Sequence, residues 1–330
     1  MISLLISCSG HLMPRFILLA LLFFSFTGFA QSTRVVVAPD GSGNYRTVQA
    51  ALDAVPLGNT QPVVIFVKKG IYKEKLNLPK KKNFVRLVGE DVNTTVLTYD
   101  DYNGRTPANG EPLGTSEAST FRVFGNNFSA ENITFENTAG VVGQGPAMWV
   151  YGDKARFQNC RFLGFRDTLY AYSYGSRQFY KHCYVEGVTD FLLGSATAYF
   201  EDCTLFCKPG GTVMIATSTP DSIRYGFVLS SCKIVGDAPD DSYYLARPWK
   251  PFGKAVLLNC ELSKIIKPKG WDHWGKESNK QDAFFAEYKS SGPGAAPKAR
   301  IRWSRQLTPQ QAAFYTRSTV LGGWDPEVVE

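Results

Sequence analysis

Histidine is scarce in this chain, with 3 among 330 residues. Only His182 and His273 lie beyond the N-terminal apolar stretch, and neither accompanies a Gly-x-Ser-x-Gly turn. A hydrolase built on serine activated by histidine is therefore poorly supported. No Cys-x-x-Cys pair occurs, which argues against a structural zinc site. Gly140, Gly143 and Gly145 do not follow the dinucleotide-binding pattern, and there is no phosphate-binding loop. The absence of an arginine-rich helix or any nucleic-acid module argues against a nucleic-acid partner. The middle of the chain lacks long helical periodicity, so a helical bundle is excluded. No Pro- or Ser-rich linker divides the sequence, which favours a single domain.

What is present begins with an apolar run, FILLALLFFSFTGFA at 16–30, preceded by Arg15 and ending in small residues before Gln31. It has the length and flanks of a secretory signal, cleaved near Ala30-Gln31, and is short for a membrane span. The expected organisation is a signal peptide at 1–30 and one catalytic domain at 31–330, secreted or periplasmic and free of the membrane after cleavage. Arg15 is the sole charge lost, so the formal charge of +7 becomes +6. A moderate positive charge favours an anionic partner.

Six of the 7 cysteines lie beyond residue 30, and five of them share one repeating position. The segments ENITFENT (131–138), NCRFLG (159–164), HCYVEG (182–187), DCTLFC (202–207), SCKIVG (231–236) and NCELSK (259–264) align on positions 132, 160, 183, 203, 232 and 260. Self-similarity at an irregular period of 20 to 29 residues reads as a solenoid. The units are short, β-branched and aromatic, bounded by Gly, Asp and Asn. A parallel β-helix fits, with like residues stacked inward and cysteine acting as a small hydrophobe. Cys203 and Cys207 are close enough in sequence for a bridge. At the ends, TVQAALDAV places Val48, Ala51, Leu52 and Val55 on one helical face, and Thr308-Pro309 opens a second capped helix. These two helices are expected to cap the open ends of the core. The stretch 267–299 reads as a long irregular excursion.

Asp167 and Asp190 each lie seven residues after a repeat cysteine, Cys160 and Cys183. In successive coils they would stack ~4.8 Å apart, the spacing of adjacent strands. Two such carboxylates do not ionise independently, so one holds a proton while the other carries charge. Tyr170, Tyr172, Tyr174, Phe191, Tyr243, Tyr244 and Trp249 could line a sugar-binding groove. Arg247, in LARPW, could hold one carboxylate ionised.

The segments GQGPAMWV (143–150), FRDTLY (165–170), RQFYKHCYVEGVTDFLLG (177–194) and LARPW (245–249) resemble, in order, the pectin methylesterase family, carbohydrate esterase family 8. GNYRTVQAAL and GWDHWGK extend the similarity over almost all of 39–326. The resemblance implies an all-β fold, a single-stranded right-handed parallel β-helix of the pectin-lyase-like type with short capping helices. It implies hydrolysis of C6 methyl esters of homogalacturonan to pectate and methanol, with no cofactor and no metal. By motif, Asp190 is the nucleophile, Asp167 the general acid and then base, Gln144 an oxyanion donor, and Arg247 the partner of Asp190. Trp249, Tyr170 and Phe191 would contact galacturonate rings. A monomer is expected, with methyl-esterified pectin as its partner. Three residues depart from the family pattern. Arg166 stands where a second oxyanion glutamine is usual, and is a candidate donor in its place. Ala246 replaces a glycine, and Leu193 an aromatic ring. The alternatives are a glycosidase- or lyase-type β-helix enzyme, or a pectin-binding solenoid whose catalytic site has decayed.

Overall fold

The computed structural model describes residues 33–328 except position 109, and these fall in one compact unit. The signal peptide expected at 1–30 lies outside the described residues. Strands of two to five residues alternate with turns, and every pairing between them is parallel. They assemble into three sheets of 11, 7 and 8 strands; the central coils contribute in turn to all three, and the turns at the two ends only to some. This is the parallel β-helix expected from the repeat. Alternation decides which side chains face in: Val85 and Leu87 are fully buried while Arg86 between them is not. Aromatic rings of successive coils stack inside, Phe157 on Tyr180 at 4.9 Å and Tyr180 on Phe200 at 4.5 Å between centroids.

The repeat cysteines form an inward ladder. Each thiol donates to a main-chain carbonyl of the preceding coil: Cys160 to Ala130 at 3.4 Å, Cys203 to Tyr180 at 3.4 Å, Cys260 to Leu229 at 3.5 Å. All six described cysteines are free, so Cys203 and Cys207 are not bridged. Before each repeat cysteine the chain turns through a left-handed residue: Asn159, His182, Asp202, Ser231 and Asn259 have φ of 49 to 53 or 55°. Asn, Asp and His tolerate that conformation better than other side chains. The alignment of the first coil needs correction. Thr134 pairs with Arg161, so Ile133 and not Asn132 takes the cysteine position. Asn132 is instead the left-handed corner, with φ of 55°. A one-residue slip exchanges inside for outside, and the corner's Asn, shared by both phases, had disguised it.

The helix at Val48–Ala54 forms as expected, capped by Thr47 and burying Val48, Ala51 and Leu52. The second helix is shorter, Pro309–Ala312, but Thr308 and Gln311 complete the capping box. Its expected role as an end cap is not what it does. With Leu307, Tyr315, Val320, Leu321 and Trp324, it covers the outward face of the 11-stranded sheet, over Phe179, Tyr199, Val228 and Val256. The far end of the core is packed by Ala295, Ile301 and Trp303, in and beyond the excursion. That excursion is not wholly irregular either, since Phe284–Tyr288 joins the 11-stranded sheet. Its return is fastened by Arg300, whose buried guanidinium pairs with Glu287 at 2.6 Å and donates to the carbonyls of Pro268 and Gly294. A buried charge needs such complete pairing.

Candidate active site

The site lies on the seven-stranded sheet. Its strands include Phe121–Val123, Met148–Val150, Leu169–Ala171, Leu192–Gly194, Val213–Thr217 and Tyr244–Pro248, in that spatial order. In the three-residue strands the outer two side chains turn into the core and the central one faces out. Register makes these central residues one row: Arg122, Trp149, Tyr170, Leu193, Ala216, Arg247. From Trp149 to Arg247 that row lines a cleft of about 460 Å3, which Thr115, Ser116, Glu117, Trp249 and Trp274 also border.

Asp167 and Asp190 open onto this cleft from equivalent corners of adjacent coils. Leu169 pairs with Leu192, so the aspartates two residues earlier are in phase, as their spacing from the cysteines predicted. Both have positive φ, 62° and 53°, and both are nearly buried, at 8% and 6% exposure. Left-handed corners orient the two carboxyls off the strand ends, and Asp is among the residues that tolerate the strain.

Their surroundings differ. Arg247 straddles Asp190, its Nε donating to Oδ1 at 3.0 Å and its Nη2 to Oδ2. Asp167 accepts no side-chain hydrogen bond among the described residues. Burial and the negative Asp190 push the Asp167 carboxyl up to about 7, against the pull of Arg166 and Arg247. Burial raises Asp190 as well, and its net shift stays upward, but the Arg247 fork opposes that rise and favours the ionised form. The pair titrates as a unit. Its charged form is favoured where the cation is bonded, leaving the proton on Asp167 near neutral pH.

Gln144 and Arg166 are brought side by side by a parallel bridge between their backbones, and both line the cleft. Asn103 donates from Nδ2 to Gln144 Oε1 at 3.0 Å, which leaves the glutamine amide N–H groups as the free donors. The Arg166 side chain makes no hydrogen bond or ion pair among the described residues, so its guanidinium remains available to the cleft. Its charge lowers the Asp167 pKa, but burial outweighs it and the net shift stays upward.

The aromatic assignments divide. Tyr170 and Trp249 line the cleft, their rings 6.1 Å apart and near perpendicular. Phe191 does not: it is fully buried in the interior. The left-handed turn at Asp190 breaks the alternation of the strand that follows, so Asp190 opens onto the cleft while Phe191 and Leu192 both face inward. Tyr243 is also fully buried, with its hydroxyl 2.6 Å from the Val188 carbonyl. Two tryptophans went unassigned in the sequence. Trp149, within the GQGPAMWV segment, sits against Tyr170 with centroids 3.9 Å apart, and in-phase alignment of the strands would have found it. Trp274 comes from the excursion. Asp272 donates its N–H to the Ala246 carbonyl at 3.1 Å, and buried Asn279 bonds the carbonyls of Pro248 and His273. These contacts lay the Trp274 ring over the Arg247 guanidinium, 3.7 Å from its centroid. No local sequence signal announces that contact.

The fold and site define a parallel β-helix with two unequal carboxylates, one clamped by arginine, in an aromatic-lined cleft suited to acid–base and nucleophilic chemistry on a carbohydrate. The comparisons with known proteins give the particular family. A family model for pectinesterase matches residues 34–324, and the chain belongs to that family of esterases. Pectinesterase 31 of Arabidopsis thaliana is 39% identical over 302 residues, covering 90% of this chain and 94% of its own length. A pectinesterase of Petunia integrifolia is 39% identical across 81% of this chain and 73% of its own. Other plant relatives are longer: for Arabidopsis thaliana Pectinesterase 4 the match spans 48% of the relative. Among solved structures, pectin methylesterase PemA from Erwinia chrysanthemi superposes with a TM-score of 0.81 at 30% identity, over 90% of this chain and 99% of that one. The pectin methylesterase from carrot gives 0.80 at 29%, over 89% and 94%.

Proposed function

We propose that this protein hydrolyses the C6 methyl esters of homogalacturonan, with Asp190 as nucleophile and Asp167 as general acid and then base. The observation that carries the assignment is the asymmetry of the stacked pair: Arg247 grips Asp190 alone. An ionised Asp190 oxygen attacks the ester carbonyl carbon, and the carbonyl electron pair moves onto oxygen. Gln144 and Arg166, side by side, donate to that oxyanion; loss of one such donor costs about 3 kcal/mol in barrier. The tetrahedral adduct collapses, the C–O bond to methoxide breaks, and Asp167 supplies the proton that makes methanol. The product at this stage is an acyl anhydride on Asp190. Asp167, now a carboxylate, takes a proton from water as its oxygen attacks the same carbon. Asp190 leaves as carboxylate, the galacturonate acid is released, and Asp167 again holds its proton.

Tyr170, Trp249 and Trp149 offer ring faces to the sugars beside the scissile ester. Arg166 carries a charge where a glutamine would be neutral, so it stabilises an oxyanion more strongly while drawing Asp167 toward acidity. The protein acts as a monomer, secreted or periplasmic after loss of residues 1–30, where pectin is encountered. The family relation supports this reading, and so does a solved neighbour at 30% identity, a mutant pectin methylesterase in complex with a hexasaccharide.

The test is methanol release from esterified pectin by Asp190→Ala. Activity should vanish while circular dichroism and thermal unfolding show an intact solenoid. Near-full activity in a folded Asp190→Ala protein would remove Asp190 as nucleophile.

A further inference from the structure

A second cleft, of about 180 Å3, lies on the 11-stranded sheet, a different face of the coil from the catalytic sheet. It forms where the C-terminal helices rest on the 11-stranded sheet. Two arginines border it, Arg224 and Arg305. Neither side chain has a carboxylate partner or donates a hydrogen bond among the described residues. Each guanidinium instead lies on an aromatic ring: Arg305 over Phe284 at 4.4 Å, Arg224 over Tyr225 at 5.2 Å. Burial and Tyr225 raise the Tyr315 hydroxyl above its ordinary range, and both arginines are near enough to pull against that rise.

The cleft is held in place rather than loosely assembled. Lys254 donates to the carbonyls of Pro220 at 3.4 Å, Asp221 at 3.3 Å and Ile223, fixing the loop that presents Arg224. Tyr225 donates to the Phe314 carbonyl at 3.3 Å, joining that loop to the C-terminal helix. Phe314, next to it, leaves 58% of its surface in solvent, which is much for a phenylalanine not covered by anything.

We propose that this cleft is a second binding site, for an unesterified stretch of oligogalacturonate. Two unpaired guanidiniums call for an anion with two carboxylates, and bidentate Arg–carboxylate pairing is the strong form of that contact. The exposed ring of Phe314 beside them calls for a ligand with apolar faces as well. A galacturonate chain carries both features, one carboxylate per residue on a pyranose with stackable C–H faces. The choice of this ligand rests on the proposed reaction, whose product is such a chain. The site would hold the demethylated part of a polymer while the catalytic cleft takes an esterified part, and would strengthen attachment as the product accumulates.

The experiment uses the full chain and the Arg224→Ala/Arg305→Ala double variant. Calorimetric titration with long polygalacturonate at low salt is paired with methanol release from a methylated trigalacturonate, too short to occupy both clefts. Polygalacturonate should bind the double variant about three- to tenfold more weakly, as loss of two partly exposed ion pairs predicts. Arg224→Lys/Arg305→Lys should recover part of that loss, and kcat/KM on the trimer should be unchanged. Unaltered polygalacturonate binding would overturn the proposal, and so would an equal loss on the trimer. Polyglutamate binding as tightly as polygalacturonate would overturn the saccharide assignment. If the unsubstituted protein released no methanol yet the double variant still lost polygalacturonate affinity, the esterase reading would fall and the second site would stand.

Discussion

Asp167→Asn is expected to stabilise the protein, and to do so only where the carboxyl would otherwise be forced to ionise. The native Asp167 carboxyl holds its proton up to about 7, whereas in the unfolded chain it releases it at the ordinary 3.8. Between those values the unfolded state binds fewer protons than the native one, so stability falls as pH rises, at about 1.36 kcal/mol per pH unit. Above about 7 both states are ionised and the loss is complete. The cost to the folded protein is about 1 kcal/mol near pH 4.5 and about 4 kcal/mol near pH 8. Asparagine has nearly the same shape and no charge, so it escapes the penalty. Urea unfolding of both proteins should show a gain of about 1 kcal/mol for the variant near pH 4.5, growing to about 4 kcal/mol near pH 8. Methanol release should be lost in the same variant, because asparagine cannot supply the proton. A stability difference that is the same at both pH values would mean that Asp167 titrates as an ordinary surface carboxylate. The division of roles between the two aspartates would then have no electrostatic basis.

The charge of Arg166 lowers the Asp167 pKa, so Arg166→Gln should move the alkaline limb of the kcat/KM profile to higher pH, with the rate at the optimum within about tenfold because glutamine still donates. A limb that stays in place would show that the guanidinium does not act on Asp167. Trp274→Leu should lower kcat through Arg247, by the about 0.5–2 kcal/mol of a partly desolvated cation–π contact, and should move the acid limb upward as the clamp on Asp190 loosens. If Trp274 only stacked on sugar, the variant would raise KM and leave both limbs where they were.

Much of the architecture is legible in the sequence because a solenoid repeats its physics. Cysteines at one phase, with a left-handed Asn, His, Ser or Asp before each, mark the same corner in five coils. The two aspartates could be paired from that phase alone. The errors come from places where phase is ambiguous or broken. Asn132 matched the cysteine column by its neighbours' composition, yet pairing puts Ile133 there. Phe191 and Tyr243 are aromatic residues beside the groove motifs, yet both precede their strands at turns where alternation is broken and both are buried in the core. Trp149 had the phase of Tyr170 and was readable; Trp274 was not, because its position depends on Asp272 and Asn279 tying a non-repeating excursion to the LARPW strand. The C-terminal helix was recognisable from its cap, but no local signal tells an end cap from a side cover.

The inequality of the two aspartates follows from where a single arginine stands in the stack. Arg247 pairs with Ala216, Ala216 with Leu193, and Leu193 with Tyr170, so the arginine is two rungs from the coil of Asp190 and three from that of Asp167. Rungs are ~4.8 Å apart. An extended arginine and the Asp190 carboxyl reaching toward it bridge two rungs through their hydrogen bonds; three would leave them apart. Ala216, the residue between, is small enough to leave the path open over the sheet. Trp274 closes over the guanidinium from outside and holds it down on that path. Identical side chains in identical corners thus acquire different partners, and with them different electrostatic surroundings, from an offset of one coil. A bulkier residue at Ala216 would obstruct the arginine without touching either aspartate, and the asymmetry on which the proposed chemistry depends would go with it.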